Sequence, residues 1–432
     1  MEQLQKKAGQ LEDILAAAGV EKYAFRFVEK QTGEFNAEDE GFTLYRTLFD
    51  NDLRLTVFLD GRMGVASGND LSYAGMQALT ESALSAARAA EPDPCRDIAP
   101  QEPSAVFRTG CYEPDMDAFF ERFRELLSGI RSEYPLIRLS LSMATHVRRH
   151  VLYRNANGTT FEKFGGYYEL DVEFAANDGE NTTGIDFVGL SFTDLDKPLL
   201  EQPRLRQHLR DAVAQLHKIP VGEKFTGTVI LTPECLAGFL YSLLFSTVTD
   251  GVILNGTSLW RDRLDQKVTD EQITLDLPAA HPDNVDPDCF TGDGFRTQDV
   301  RLLDHGVLKS HLLGLFVANK TGRPVTKSGG SFLVMAPGEQ SLAQIIASTR
   351  RGLIVGGFSG GEPEINGEFS GVAKNSFYVE DGQIRGAVME TMISGNLFDL
   401  FGHITALSRE RVRVGEGLLP YLAAPDIVIS GK

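Results

Sequence analysis

The chain has 432 residues, 42% of them hydrophobic and 24% charged, with a formal net charge of −18. Its length predicts two or three domains, and its composition is typical of a globular protein rather than a disordered one. The acidic balance argues against nucleic acid as a direct partner, because such a surface repels the phosphate backbone.

The first 220 residues repeat one order of predicted elements. A helix over about residues 2–18 is followed by strand-like runs, which lie at 22–30, 42–49, 53–59 and 62–67, and then by a helix near 71–90. After a proline-rich linker, a second round runs from a helix at Asp115 through further strands to a closing helix at about 198–217. This order predicts a duplicated α+β arrangement, with an N-terminal unit at 1–95 and a central unit at 105–220.

The remaining residues, 221–432, are predicted to form a β-rich C-terminal domain. A strand at 225–231 leads into a helix with Thr232 as its N-cap and Pro233 at its first position. Two stretches, 300–313 and 376–388, each join two alternating runs through a turn that contains Asp and Gly, which is a strong hairpin signal. We therefore expect an α+β fold overall.

No membrane partner is predicted. The longest uncharged apolar run, residues 235–249, is shorter than the roughly 20 residues that a membrane span needs, so it is read as a buried helix. The charged, amphipathic N-terminal stretch does not have the pattern of a signal peptide. The expected location is the cytoplasm.

A glycine-rich run at 356–361 first suggests a phosphate-binding loop. Glu362 and Glu364 follow it, and they would repel a phosphate where a Walker loop needs Lys and Ser or Thr. Two interpretations stay open: turns and bulges in a β-rich domain, or bare backbone that an extended peptide approaches and pairs with. The candidate peptide-binding residues on the second interpretation are Gly356, Gly357, Ser359, Gly360, Gly361, Phe369 and Ser370.

The chain shows no self-standing catalytic constellation. His146 and His150 lie in alternating strand sequence, about 13 Å apart along the strand, which is too far for two ligands of one ion, and we expect them at the surface. The acidic loop at 281–288 lacks the alternation and closing Glu of an EF-hand. Ser359 is not followed by the helix that a nucleophile elbow requires. An enzyme with a relocated site at Ser359 or at this loop is the least favoured hypothesis.

Residues 367–401, GEFSGVAKNSFYVEDGQIRGAVMETMISGNLFDLF, resemble the C-terminal signature of the TldD/PmbA family, also called TldD/TldE and formerly described as modulators of DNA gyrase. The shared pattern is G-x-F-S, a strand, an E-[ND]-G turn, a strand and I-x-G-N-L. Stretches 154–158 and 293–297 support the likeness. The resemblance implies bacterial or archaeal zinc metallopeptidases that act on unfolded or short peptides. TldD-type members bind zinc through an HExxxH helix and a distant Cys, and PmbA/TldE-type members lack these ligands and pair with a TldD-type partner.

Alignment to that family places its two zinc-binding histidines at Tyr241 and Ser246, its general base at Ser242 and its late Cys near Val412. Phenol and hydroxyl groups do not normally replace imidazole on zinc, and Ser cannot act as the carboxylate base. The resemblance therefore implies a PmbA/TldE-like subunit without a metal or cofactor of its own. Zinc, water and base would come from an HExxxH-bearing TldD-type paralogue. The alternative is a homodimeric or larger homo-oligomeric protein that binds peptides, like a chaperone, without peptidase activity.

Overall fold

The computed structural model describes residues 2–38, 41–330, 332–361, 363, 365–415 and 417–431. Helices pack against two β-sheets, one built from the first 192 residues and one from residues 218–430. The predicted α+β class is confirmed. Within the described part of the chain, no helix is both long enough and apolar enough to cross a membrane.

The first half of the chain contains two rounds of helix, three antiparallel strands and helix. Its elements are α1 (Glu2–Ala17), β1 (Lys22–Glu38), β2 (Gly41–Leu59), β3 (Arg62–Gly68), α2 (Tyr73–Ala89), β4 (Ala105–Gly110), α3 (Met116–Glu133), β5 (Ile137–Asn155), β6 (Thr160–Ala176), β7 (Asp186–Phe192), a 3-10 turn (Leu199–Glu201) and α4 (Pro203–Ala214).

These strands form a single sheet in the order β3-β2-β1-β5-β6-β4, with β7 also paired to β6. The antiparallel pairing of β1 with β5, from Ala24 opposite Asn155 to Glu38 opposite Leu141, joins strands from both predicted N-terminal units. The unit boundaries at 95 and 105 stay a prediction. Two apolar clusters pack on this sheet, one under α1 and α2 around Phe25 and Phe27, and one under α3 and α4.

The prediction that His146 and His150 lie at the surface is wrong. Their exposed fractions are 2% and 5%. The His146 Nε2 atom lies 2.8 Å from the carbonyl oxygen of Cys111, and the His150 Nε2 atom lies 2.7 Å from a carboxylate oxygen of Glu162. Strand alternation shows which residues share a face of a sheet, but it does not show which other segments cover that face.

The second half continues through short strands and helices. Its elements are β8 (Lys218–Ile219), β9 (Phe225–Leu231), α5 (Pro233–Thr247), α6 (Asp250–Asn255), β10 (Leu275–Leu277), β11 (Val300–Asp304), β12 (Val307–Leu308), α7 (Leu315–Thr321), β13 (Leu333–Met335), α8 (Leu342–Ser348), β14 (Arg351–Val355), β15 (Gly357–Ser359), β16 (Glu368–Lys374), β17 (Phe377–Glu380), β18 (Gln383–Val388), β19 (Thr391–Asn396), α9 (Leu397–Gly402), β20 (Ala406–Val414) and β21 (Gly417–Ser430).

Strand β21 is the centre of this second sheet, where it pairs with β9, β13, β19 and β20. Helix α5 packs beside it through an apolar face that includes Leu236, Phe239 and Leu243. The predicted cap is confirmed, because the Thr232 side chain accepts from the N–H of Cys235 and Pro233 opens the helix. The core therefore fixes one face of α5 and leaves the other for the cleft described below.

Candidate functional site

A cleft of about 450 Å³ lies between α5 and β15, and we call it the edge cleft. Helix α5 contributes Gly238, Tyr241 and Ser242 to its lining, and the glycine-rich run contributes Gly356 and Gly357. The fold thus brings Tyr241 and Ser242, at two of the positions aligned to the family's zinc helix, next to Gly356 and Gly357. The two pairs are more than a hundred residues apart in sequence.

Strand β15 has a ladder partner on one side. It pairs with β16, with Gly357 opposite Lys374 and Ser359 opposite Val372, and no other described strand pairs with it. An unpaired strand edge presents backbone N–H and C=O groups that an extended peptide can bind as an added strand. The edge cleft therefore has the backbone chemistry that sequence-tolerant peptide binding requires.

The glycines of this run differ in whether the fold leaves space for a Cβ atom at their positions. A Cβ atom on Gly361 would lie 1.8 Å from the carbonyl oxygen of Ser370, and one on Gly356 would lie 2.4 Å from that of Asn375. These two positions are needed for close backbone packing. A Cβ on Gly357 would meet nothing nearer than the Lys374 Cβ at 3.6 Å. The turn and close-packing interpretation therefore applies to Gly356 and Gly361, whereas peptide binding at Gly357 stays a prediction.

The side chains at the zinc-helix positions do not fit a zinc ion. Tyr241 is 67% exposed and stacks on Phe245, with ring centroids 5.9 Å apart. The Ser242 hydroxyl donates to the Gly238 carbonyl at 3.1 Å, and the Ser246 hydroxyl donates to the Ser242 carbonyl at 2.8 Å. These hydroxyls are engaged with their own helix, and neither they nor a phenol are the donors that protein zinc sites use.

Two of the four aligned positions lie outside the edge cleft. Ser246 does not line it, and Val412 lies on β20 opposite Leu419, where it lines a separate cleft. Among the described residues, no group of three or more His, Cys, Asp and Glu side chains is arranged to hold a metal ion.

The remaining candidate residues are Ser359 and Gly360 within the glycine run and Phe369 and Ser370 beyond it. Phe369 is 3% exposed and packs edge-on against Phe239 with ring centroids 5.0 Å apart, so it belongs to the core under the cleft. Ser359 and Gly360 are exposed, and Ser359 lies on a strand rather than on a turn before a helix. Ser370 donates its backbone N–H to the Gly361 carbonyl at 3.2 Å.

The acidic loop at 281–288 attaches the second half of the chain to the first sheet. Asp286 accepts from Arg149 at 2.8 Å and from Lys163 at 2.5 Å, and Lys163 also donates to the Pro287 carbonyl at 2.7 Å. Its central carboxylate is therefore already neutralised by two cations. We call these contacts of Asp286 and Pro287 with Arg149 and Lys163 the clasp, because they hold the loop on the first sheet.

Sequence reasoning missed a charged network at the start of α5. Glu234 accepts from Arg204 at 2.8 Å and lies 3.6 Å from His208, which also lies 3.5 Å from Asp186. Burial by itself lowers the pKa of His208, but its hydrogen bonds to these carboxylates outweigh burial and raise the pKa to about 9. Burial raises the pKa of the Glu234 carboxyl, but His208 and Arg204 outweigh burial and lower this pKa to about 2.

Only the spacing of Arg204 and His208, four apart on one face of α4, could have indicated this network from sequence. Nothing in the sequence connects that face to Glu234.

The chain is similar to known proteins in sequence and in fold. Residues 224–431 match the family described as PmbA/TldA metallopeptidase C-terminal domain. The protein "Metalloprotease PmbA" of Escherichia coli O157:H7 is 25% identical over 422 residues, which cover 91% of this chain and 87% of that protein.

Two crystal structures share the fold over nearly the whole chain. TldE from Thermococcus kodakarensis superposes with a TM-score of 0.83 at 19% identity and covers 98% of this chain and 100% of its own. A Bacteroides thetaiotaomicron protein described as a candidate modulator of DNA gyrase gives a TM-score of 0.89 at 19% identity and covers 100% of both chains. Residues 224–431 therefore form a C-terminal domain of the PmbA/TldA metallopeptidase family, as the C-terminal signature predicted.

Proposed function

We propose that this protein is a PmbA/TldE-like subunit of a zinc-dependent peptidase complex in the cytoplasm, in which it binds unfolded or short peptides without cutting them itself. The observation that carries the proposal is the composition of the edge cleft. It combines an unpaired strand edge with Tyr241 and Ser242 of α5, which stand at one aligned zinc-ligand position and at the aligned base position. The TldD-type partner would supply zinc, the attacking water and the general base.

Main-chain pairing at β15 suits a substrate of undefined sequence. Every residue except proline offers the same N–H and C=O groups, so a peptide can add to this edge whatever its side chains. The exposed rings of Tyr241 and Phe245 add apolar surface to α5, the helix that lines the edge cleft. The role of this chain would be to hold an extended segment for the catalytic subunit.

A surface for the partner is available on the distal part of β2. Residues 41–52 are exposed and pair with β1, whereas β3 pairs only with residues 53–59. This segment, which we call the open arm, carries large apolar side chains at Phe42, Leu44, Tyr45, Leu48 and Phe49, of which Tyr45 and Phe49 are 63% and 75% exposed. Exposed apolar residues beside a free strand edge are typical of an interface that a partner covers. We assign the open arm to the TldD-type subunit.

The test is to co-express the chain with an HExxxH-bearing paralogue from the same organism, then measure co-elution, bound zinc and casein cleavage. We expect a stable complex whose zinc and activity depend on the partner's histidines. Phe49→Arg should abolish co-elution, whereas Tyr73→Arg, at a residue 54% exposed on α2, should leave it intact. Stoichiometric zinc with peptidase activity in the isolated chain would contradict the proposal.

The second candidate function is a homo-oligomeric peptide-binding protein. The open arm favours it equally, because a free strand edge can pair with the same edge of a second copy. Light scattering of the isolated chain distinguishes the two: a dimer that Phe49→Arg dissociates, and that does not exchange with the paralogue, would support this alternative.

A further inference from the structure

A second cleft, of about 560 Å³, lies between the first sheet and β20. Strands β6 and β7 form one wall with Glu169, Asp171 and Ser191, and β20 forms another with Arg411 and Arg413. We call it the charged cleft. Its volume falls within the range of about 300–1,000 Å³ that is usual for small-ligand sites.

Of the three arginines that line the charged cleft, Arg204 is paired with Glu234, and Arg411 and Arg413 bond to neutral oxygens. Arg413 donates to the carbonyl and to the hydroxyl of Ser191, the latter at 2.5 Å, and Arg411 donates to the carbonyl of Met335 at 3.2 Å. Neither forms an ion pair with a carboxylate in the described part of the chain. Burial lowers the pKa of Arg413, and its buried Nε atom has no hydrogen-bond partner among described residues. Asp283 also lines the cleft, and its charge opposes that shift.

The carboxylates on the facing wall also lack ion pairs within the described residues. Burial raises the pKa of Glu169, and the charge of Asp171 adds to this, whereas Arg149 and Lys30 act in the opposite direction. Burial and Glu173 likewise raise the pKa of Asp171. Two partly desolvated acids therefore stand beside each other without a neutralising contact.

Charges of opposite sign that line one cavity without pairing need an external partner for full compensation. Partly buried charges without partners are costly, and a cleft that keeps them apart leaves room for a ligand between them. Ser191, which holds Arg413, is directly opposite Glu169 in the β6–β7 ladder. Arg413 of β20 is therefore anchored on the strand next to the one that carries Glu169, so the two charges lie within the span of a small molecule.

We propose that the charged cleft binds a short zwitterionic peptide. Its free ammonium group would contact Glu169 and Asp171, and its free carboxylate would contact Arg411 and Arg413, for which a guanidinium is well suited because it can donate two parallel hydrogen bonds. This site is separate from the edge cleft. The inference goes beyond the proposed function, since it depends on the charges of this cleft and not on a catalytic partner.

The test is isothermal titration calorimetry on the isolated chain with trialanine, N-acetyl-trialanine and trialanine amide. We expect trialanine to bind, and each blocked form to bind at least about ten-fold more weakly, because each loses one charge-assisted contact. Glu169→Gln should weaken trialanine binding by about ten-fold or more without changing the weak binding of the N-acetylated form. Arg413→Met should likewise weaken trialanine binding by about ten-fold or more, without changing the weak binding of trialanine amide.

Matched controls lie outside the cleft lining. Glu113→Gln, at a side chain that is 75% exposed, and Arg409→Met on β20 change the same residue types and should leave trialanine binding unchanged. Arg413→Lys keeps the charge and serves as a second variant if Arg413→Met lowers the melting temperature. Equal affinity for all three ligands, or the same loss in the control variants, would overturn the proposal. Neither outcome depends on a TldD-type partner, so either is distinguishable from failure of the proposed function.

Discussion

The edge cleft and the charged cleft use different parts of the polypeptide. The edge cleft presents backbone groups of β15 beside Tyr241 and Ser242 of α5, and Glu234, the carboxylate among its described lining residues, is already paired with Arg204. The charged cleft presents acids and guanidiniums on facing walls. Backbone pairing does not depend on side-chain identity, whereas charge pairing recognises the charged ammonium and carboxylate ends of a peptide. The comparison suggests that one cleft accepts the middle of a chain and the other accepts free termini.

The largest expected effect is on the hairpin that forms the edge cleft. Gly361→Ala forces a Cβ atom to within 1.8 Å of the Ser370 carbonyl at a backbone φ of +59°, so we expect the free energy of unfolding to fall by about 2–4 kcal/mol. Chemical denaturation measures this change. The control is Gly357→Ala, whose Cβ has space, and which should leave stability almost unchanged while weakening the binding of an extended peptide. A stability loss as large for Gly357→Ala would contradict our division of these glycines.

The next effect concerns the clasp, whose loop also supplies residues to the charged cleft. Asp286→Asn leaves Lys163, with a side chain only 9% exposed, without its carboxylate, and we expect a loss of about 2 kcal/mol in the free energy of unfolding. Urea denaturation measures it. Glu113→Gln removes a surface partner of Arg148 and should change stability little, because the Glu113 side chain is 75% exposed. Equal effects of the two substitutions would show that the clasp is no stronger than a surface pair.

The pH dependence of stability tests the network between the two clefts. The pKa of His208 is raised from 6.5 to about 9, so its stabilising contribution is complete below about pH 6.5 and is lost as the pH rises through about 9. We expect the free energy of unfolding to fall by about 1–2 kcal/mol between pH 7 and pH 9. Burial raises the pKa of Asp211 to about 6, so the contribution of Asp211 to stability changes below pH 7. In His208→Gln the decline should disappear, and an unchanged decline would contradict the assignment.

The smallest effect is expected on the face of α5 that carries the aligned zinc positions. Ser242→Ala and Ser246→Ala remove hydroxyls that bond only to carbonyls of their own helix. Stability should change by no more than about 0.5 kcal/mol, because alanine has the higher helix propensity. Thermal unfolding and the activity of a reconstituted complex measure the outcome. Loss of activity with unchanged stability would show that these hydroxyls have a role of their own.

Local structure was largely predictable from sequence. The first helix was expected at about 2–18 and spans Glu2–Ala17, and the cap at Thr232 and Pro233 was placed correctly. The hairpin turns at 304–307 and 380–383 also follow their Asp and Gly residues. These features depend on neighbours in the chain, and periodicity, capping and turn chemistry describe such neighbours well.

Contacts between distant segments were not predictable. The pairing of β1 with β5, the burial of His146 and the network at Glu234 each join segments that share no local pattern. The candidate site shows the same division. Sequence identified the glycine run and the residues at the aligned zinc positions, but it gave no indication that Gly357 and Tyr241 line one cleft or that Phe369 lies in the core.

The family signature, the acidic net charge and the residue types at the aligned positions of α5 follow from residue identity alone. Which groups meet depends on the fold. Arg413 is anchored by Ser191, a residue 222 positions earlier, and no spacing in the chain encodes that contact. The chemistry of each cleft depends on such long-range contacts, since a charge or a strand edge can bind a ligand only when folding leaves it without a partner.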